Sequence, residues 1–386
     1  NVSVLDPTDY YTNCTNDYCI SDDDYRDMIE NFIYPETSEW VLIVVYSITF
    51  LVGVSGNFLV CFALWRNRTM RTVTNIFIVN LALSDLTIIL VCLPPTLVAD
   101  VTESWFMGQV MCKIVLYLMN VSVSVSVLTL GAISVERWYA ICHPLQFKST
   151  VHRARVIMII IWLVAGCLAV PELVVGDIIR AVPAHITHLL ISCRPGWDRN
   201  SQACYQFVLI AVLYVIPLVL MAWMYAQIVV VLRRKDIPGA TMTSTRPMIG
   251  GKIFTREEQI VSRNKAARML ITVVVVFAVC HFPVHLFNIL RYTGALNDGN
   301  GKAISIMALI VHWLPYYNSS INPVIYNFMS AKFRKEFRRA CFCCVRHFRN
   351  RRIRSRSGTF NTQYSNSIYS QYNSHTEALT LSSIRR

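Results

Sequence analysis

The chain has 386 residues, 54% of them hydrophobic and only 15% charged, with a formal net charge of +13. Soluble chains carry about 25% charged residues, and here the apolar residues gather into runs of about 20 or more, the length that crosses a bilayer. That patterning excludes a large soluble protein with buried helices, and the basic surplus sits on one face, where anionic lipid rather than nucleic acid explains it.

The first 39 residues form an acidic tail with one base, Arg26, against ten acids, including Asp22-Asp23-Asp24. Met28, Ile29, Phe32 and Ile33 have helical spacing just before the membrane. Seven spans follow, at about Trp40–Trp65, Asn75–Val98, Gln109–Ile141, Val156–Val175, Tyr205–Leu232, Lys265–Arg291 and Ala303–Phe328. The third contains VSVSVSVLTL (121–130), whose period-two alternation is the local sign of a strand. Only helices and closed barrels satisfy their backbone inside a bilayer, and this run is far too long for a barrel strand. The stretch is therefore predicted to be helical, with serines bonding back to carbonyls and Ser122 and Ser126 on one close-packing face. Between the fifth and sixth spans, Arg233–Asn264 is a basic, Thr/Ser-rich loop. Residues 330–344 alternate Lys332, Arg334, Lys335, Arg338 and Arg339 with Phe333 and Phe337, the pattern of an amphipathic membrane-surface helix. Cys341, Cys343 and Cys344 close it as candidates for palmitoylation, and the composition of 345–386 predicts a disordered tail. The fold class is thus an all-α membrane protein, a seven-helix bundle, with the membrane domain at 40–329.

The segments after the odd-numbered spans hold 26 Lys and Arg against five acids, so they face the cytoplasm and the N-terminus faces outside. A multi-pass plasma-membrane protein follows. Of the 13 cysteines, Cys14, Cys19, Cys112, Cys193 and Cys204 fall outside, where disulfides persist. Cys112 opens the third span and Cys193 lies in the longest outer loop, which pairs them; Cys14, Cys19 and Cys204 stay unassigned. Asn1-Val2-Ser3 and Asn13-Cys14-Thr15 are glycosylation acceptors, though Asn67-Arg68-Thr69 on the inside fits the same pattern. The sequence starts at Asn1 without a visible signal peptide, which leaves room for trimming.

Ionisable groups within spans are functional candidates because they are costly there. Asp85 lies mid-span, with Asn57, Asn318 and Asn322 as partners; such a carboxylate suits a sodium ion, a water network or a purely structural role. Glu136-Arg137 ends the third span as a salt bridge or a functional pair. Pro171, Pro217, Pro283 and Pro323 interrupt four spans and predict hinges. Thr96, Asp100, Asn120, Glu172, Asn288, Arg291, His312 and Tyr316 lie near the outer ends and can line a cavity.

Taken together, Gly56-Asn57, LALSD (81–85), Glu136-Arg137-Trp138, Trp162, Pro217, FAVCHFP (277–283) and NPVIY (322–326) resemble the rhodopsin-like G protein-coupled receptors. Within that class the chain most resembles orexin receptors and invertebrate allatotropin receptors, through EWVLIVVY (39–46), MRTVTNIFIVNLALSD (70–85), CLPPTLVADVTESWFMG (92–108) and RWYAICHPLQFKST (137–150). The resemblance implies a peptide pocket at Thr96, Asp100, Trp105, Met119, Asn120, Glu172, Tyr205, Tyr214, Asn288, Arg291, His312 and Tyr316. It assigns activation and G protein coupling to Asp85, Glu136, Arg137, Pro283, Asn318, Asn322, Pro323 and Tyr326. The chain departs from that family at Met119 and Glu172, each replacing Gln, at Arg194-Pro195-Gly196-Trp197, at Leu209 and at His281. Met119 stands where amine receptors place Asp, and no Lys occupies the seventh span as in opsins.

The function implied is reception of an extracellular amidated neuropeptide, orexin- or allatotropin-like, with activation of a heterotrimeric G protein of the Gq class and calcium release. Arrestin, receptor kinases and membrane lipid are the further partners implied. RFamide-type peptides are the alternative ligand, and a transporter or channel the alternative class, disfavoured by the lack of internal repeats. No cofactor or enzymatic constellation is expected. Arg263 stands where some of these receptors carry an acid that locks Arg137, which predicts noticeable basal activity.

Overall fold

In the computed structural model, residues 18–35, 37–143, 150–182, 187, 189–233, 256–296 and 301–340 are described. Glycosylation candidates Asn1 and Asn13, and palmitoylation candidates Cys341, Cys343 and Cys344, lie outside them. The chain divides into two units, 1–333 and 334–386. Residues 331–340 are helical, and in the second unit Arg339 donates to Glu336 at 2.9 Å.

Seven long helices form the first unit: Glu39–Arg66, Val73–Thr102, Gly108–Cys142, Val151–Val175, Arg199–Leu232, Asn264–Thr293 and Gly301–Met329, here spans 1 to 7. Six are long and apolar enough to cross a membrane unaided. Span 7 is not, because His312, Asn318, Ser319, Ser320 and Asn322 dilute it, yet it is helical over 29 residues. The helical backbone of span 1 begins at Thr37, inside the predicted tail.

Spans 4 and 5 begin at Val151 and Arg199, five and six residues before their apolar runs. Caps set these starts. The Thr150 hydroxyl accepts from Arg153 N–H at 3.4 Å, and the Asp198 carboxylate accepts from the N–H groups of Asn200 and Ser201 at 3.2 and 3.1 Å. Such side chains satisfy donors that a helix start leaves open. The hydrogen bonds from Ser201, then from Asn200, hold the Asp198 carboxyl below the usual carboxylate range.

The prolines do not break the spans. Span 4 continues through Pro171, span 6 through Pro283 and span 7 through Pro315 and Pro323. Widened π-turns occupy Ile88–Cys92, just before Pro94 and Pro95, and Ala211–Val215, just before Pro217. A proline ring clashes with the carbonyl four residues earlier, and those carbonyls, on Leu90, Val91 and Leu213, fall inside the widened turns.

VSVSVSVLTL is helical, as the bilayer argument requires. Ser126 meets Ser84 of span 2 at 3.1 Å. Ser122 and Ser124 do not bond back to carbonyls; their hydroxyls are buried without a partner. Close packing is sharpest between spans 1 and 7, where a Cβ on Gly56 would stand 2.8 Å from Pro323 Cβ and one on Gly53 2.5 Å from the Ser320 hydroxyl.

The loop after span 4 forms an antiparallel hairpin that composition alone does not signal, β1 (Gly176–Arg180) and β2 (Ile191–Pro195), with Ile178 opposite Cys193. The Cys112–Cys193 disulfide ties it to the start of span 3, as expected. Gln109 donates to Asp177 at 3.1 Å, and Trp105 N–H donates to Ile191 O at 2.6 Å. The tail contains a helix, Asp22–Phe32, capped by Ser21 and acidic in its first turn, which suits the positive end of the helix dipole. Its Tyr25 and Ile29 pack on Val182 beside Leu189 and Leu190; of the expected apolar set Ile29 lies on this face, whereas Met28 is exposed. Cys19 is disulfide-bonded, whereas Cys204 is a free, exposed thiol.

Candidate functional site

At the disulfide-bearing end, the predicted pocket residues fall into bonded pairs and single groups. His312 Nδ1 lies 3.0 Å from Asp100 Oδ2, joining spans 7 and 2. Asn120 donates to Glu172 Oε1 at 3.0 Å, joining spans 3 and 4. Glu172 is 2% exposed and its Oε2 has no partner, a costly arrangement unless a donor arrives. Tyr205 sets its ring edge-on to Trp197, at 4.9 Å between centroids, and its buried hydroxyl is also unpartnered. Tyr214 donates to Ala278 O at 2.8 Å. Tyr316 is buried beside Tyr46 with its hydroxyl unpartnered. Thr96, Met119 and Asn288 are half-buried, and Arg291 is exposed.

Trp105 differs from its expected place. It is 5% exposed within the core cluster around Cys112, and its indole N–H is committed to Gly108 O at 2.8 Å. It braces the loop against the hairpin. The structure also brings in residues the motifs did not flag. Tyr46 donates to Leu309 O at 2.8 Å, Ser305 donates to Glu103 at 2.6 Å, and His285 packs its ring on Tyr214 at 4.7 Å. His285 follows His281 by one helical turn, a spacing visible in the sequence.

Mid-bundle, Asn322 donates to Asp85 Oδ2 at 2.9 Å, and Asn57 donates to Ser319 O at 2.9 Å and Gly53 O at 3.0 Å. Asp85 Oδ1 and the side-chain oxygens of Asn57, Asn318 and Asn322 are buried without partners. An all-oxygen set of this kind fits a hard cation such as sodium, or ordered water. Asn80 completes a tie across three spans, donating to Thr129 at 2.8 Å and accepting from the Trp162 indole at 2.9 Å.

At the opposite end, Arg137 grips Glu136 with both arms, Nε to Oε2 at 2.6 Å and Nη2 to Oε1 at 2.8 Å. Thr74 donates to the same carboxylate at 3.1 Å. Tyr326 is buried and its ring lies 5.6 Å from that of Phe333. The side chain of Arg263 lies outside the described residues.

Seven spans, a disulfide-tied hairpin over one end, a central Asp–Asn cluster and a clasped Glu–Arg pair at the other define a membrane receptor bundle. Residues 56–326 match the family described as 7 transmembrane receptor (rhodopsin family). A QRFP-like peptide receptor of Branchiostoma floridae is 33% identical over 308 residues, covering 79% of this chain and 78% of its own. The chain belongs to the rhodopsin family of seven-transmembrane receptors, a family of receptors and not of enzymes.

Proposed function

We propose that the protein is a plasma-membrane receptor for an amidated neuropeptide with a basic residue near its C-terminal end. The hairpin end faces outside and the Glu136–Arg137 end faces a G protein. The observation that carries this reading is the buried Glu172 carboxylate, one oxygen held by Asn120 and the other unpartnered, an arrangement completed by a guanidinium or ammonium. Asp100 and the acidic tail helix add attraction for a cationic peptide.

Two ligand families compete. The QRFP-like relative and Glu172 favour an RFamide-type peptide. The sequence blocks over spans 1 to 3, with Thr96, Asp100, Asn288, His312 and Tyr316, favour an orexin- or allatotropin-like one. The first reading ranks higher because Met119 and Glu172, both assigned to the pocket, are among the positions at which the chain leaves the orexin pattern. Binding favours an arrangement in which spans pivot near Pro283 and Pro323, the Asp85, Asn318, Asn322 and Tyr326 cluster rearranges, and Arg137 is released to a G protein of the Gq class. A sodium ion or waters at Asp85 stabilise the resting state. Arrestin and receptor kinases act on the cytoplasmic face, with palmitate at Cys341, Cys343 and Cys344 and glycans at Asn1 and Asn13.

The test is calcium release in cells expressing the full chain, challenged with Arg-Phe-amide, orexin-like and allatotropin-like peptides, with Arg137→Ala as control. A response lost in the control supports the reading, and the responding panel names the ligand family. Silence at confirmed surface expression, with no peptide displacing another, refutes it.

A further inference from the structure

The described part of span 6 carries no Lys, Arg, Asp or Glu from Met269 to Leu290. Its polar side chains there include the half-buried Asn288 and two imidazoles one turn apart, with Pro283 between them. His281 is stacked on Phe277 at 4.1 Å, and its Nδ1 lies 3.0 Å from Phe277 O. That nitrogen is occupied within the helix. His285 differs: its ring leans on Tyr214 of span 5, and its Nδ1 is buried with no partner. The Tyr214 hydroxyl is committed to Ala278 O and so does not serve it. Val275, Val279, Phe282 and Leu286 are exposed and mark the lipid face of the span, so His285 sits on the flank turned toward span 5. It lies six residues, about 9 Å, before Arg291 along the helix, deeper in the bundle.

A ligand group reaching this flank meets an imidazole and a phenol, with no Lys or Arg on span 6 between Met269 and Leu290. A free carboxylate there would lose its water without a countercharge, which is costly. A carboxamide brings two donors and an acceptor and leaves no charge to compensate.

We propose that His285 determines specificity for the C-terminal carboxamide of the peptide, its Nδ1 taking a hydrogen bond from the amide group. The proposal rests on the peptide-receptor reading above. Met119 and Glu172 then select side chains, and His285 selects amide over acid.

The experiment uses the full receptor and an Arg-Phe-amide-terminated peptide that activates it, paired with the same peptide as the free acid. His285→Leu keeps an apolar group of similar bulk, His285→Asn keeps a polar atom near the Nδ1 position, and His285→Gln extends one toward Nε2. At matched surface density, His285→Leu is expected to weaken the amide about tenfold, the loss of one buried hydrogen bond. The acid should change by less than about twofold, so the amide preference collapses. His285→Asn should restore most of the preference, and His285→Gln should restore less. An unchanged acid-to-amide ratio in His285→Leu overturns the proposal while leaving the receptor reading intact. Silence of the native receptor toward every amide rejects both.

Discussion

Replacing Glu136 with Gln should raise signalling in the absence of ligand. Arg137 makes two charge-assisted contacts to the Glu136 carboxylate, at 2.6 and 2.8 Å. The glutamate side chain is 8% accessible and the arginine 24%, so solvent screens the pair only partly. Hydrogen bonds to charged groups contribute about 1.5–3 kcal/mol, and the partial exposure of Arg137 places this clasp near the lower figure. Gln keeps the shape and the Thr74 contact but removes the charge. A loss of about 1.4 kcal/mol from the resting state shifts the equilibrium roughly tenfold toward the released state. Ligand-free inositol phosphate accumulation, read at matched surface density, measures it directly. Basal signalling within about twofold of the native receptor would refute the view that this clasp holds the resting state.

Further expectations follow from other contacts. Arg263→Glu should lower basal signalling if the missing lock at the inner end of span 6 matters; equal basal levels at matched expression argue against it. Gly56→Val drives a Cβ to 2.8 Å from Pro323 Cβ and should cost about 1–3 kcal/mol, seen as a lower thermal midpoint of detergent-solubilised receptor; an unchanged midpoint means the spans 1–7 seam is loose. Trp162→Phe leaves Asn80 Oδ1 without its donor and should cost about 1–2 kcal/mol in the same assay. Asp198→Ala should speed amide exchange over Arg199–Gln202 at neutral pH. Because the folded carboxyl is held low, its contribution is full above the ordinary carboxylate range and fades as pH falls through the depressed value, so the difference should vanish on acidification. Reduction of Cys112–Cys193, which closes a separation of 81 residues, removes roughly 4 kcal/mol of chain constraint and should free the hairpin and abolish peptide binding.

Much of the site was legible because membrane polar groups are rare and so stand out. Asp85, Asn57 and Asn322 could be grouped from three separate spans before any contact was known, and they do converge. Asp100 with His312, and Asn120 with Glu172, were named as one set without their pairing. Trp105 was legible only as an aromatic near the pocket; whether its indole faces a ligand or Gly108 depends on how the loop meets the hairpin. The sequence does not separate His285 from His281, because an imidazole in a span reads the same whether its nitrogen is bonded or orphaned.

The sequence by itself determined seven spans, the overriding of a strand-like serine alternation and the Cys112–Cys193 bond. These follow from one-dimensional quantities: runs of about 20 apolar residues, the absence of water to satisfy backbone groups, and the positions of Cys112 at the start of the third span and Cys193 in the longest outer loop. Tertiary structure alone decided which oxygens lie unpartnered at Asp85 and Glu172, the β1–β2 hairpin, the π-turns ahead of Pro94 and Pro217, and the Gly56–Pro323 contact. Each depends on distances between residues far apart in the chain, and hydropathy carries no information about distance.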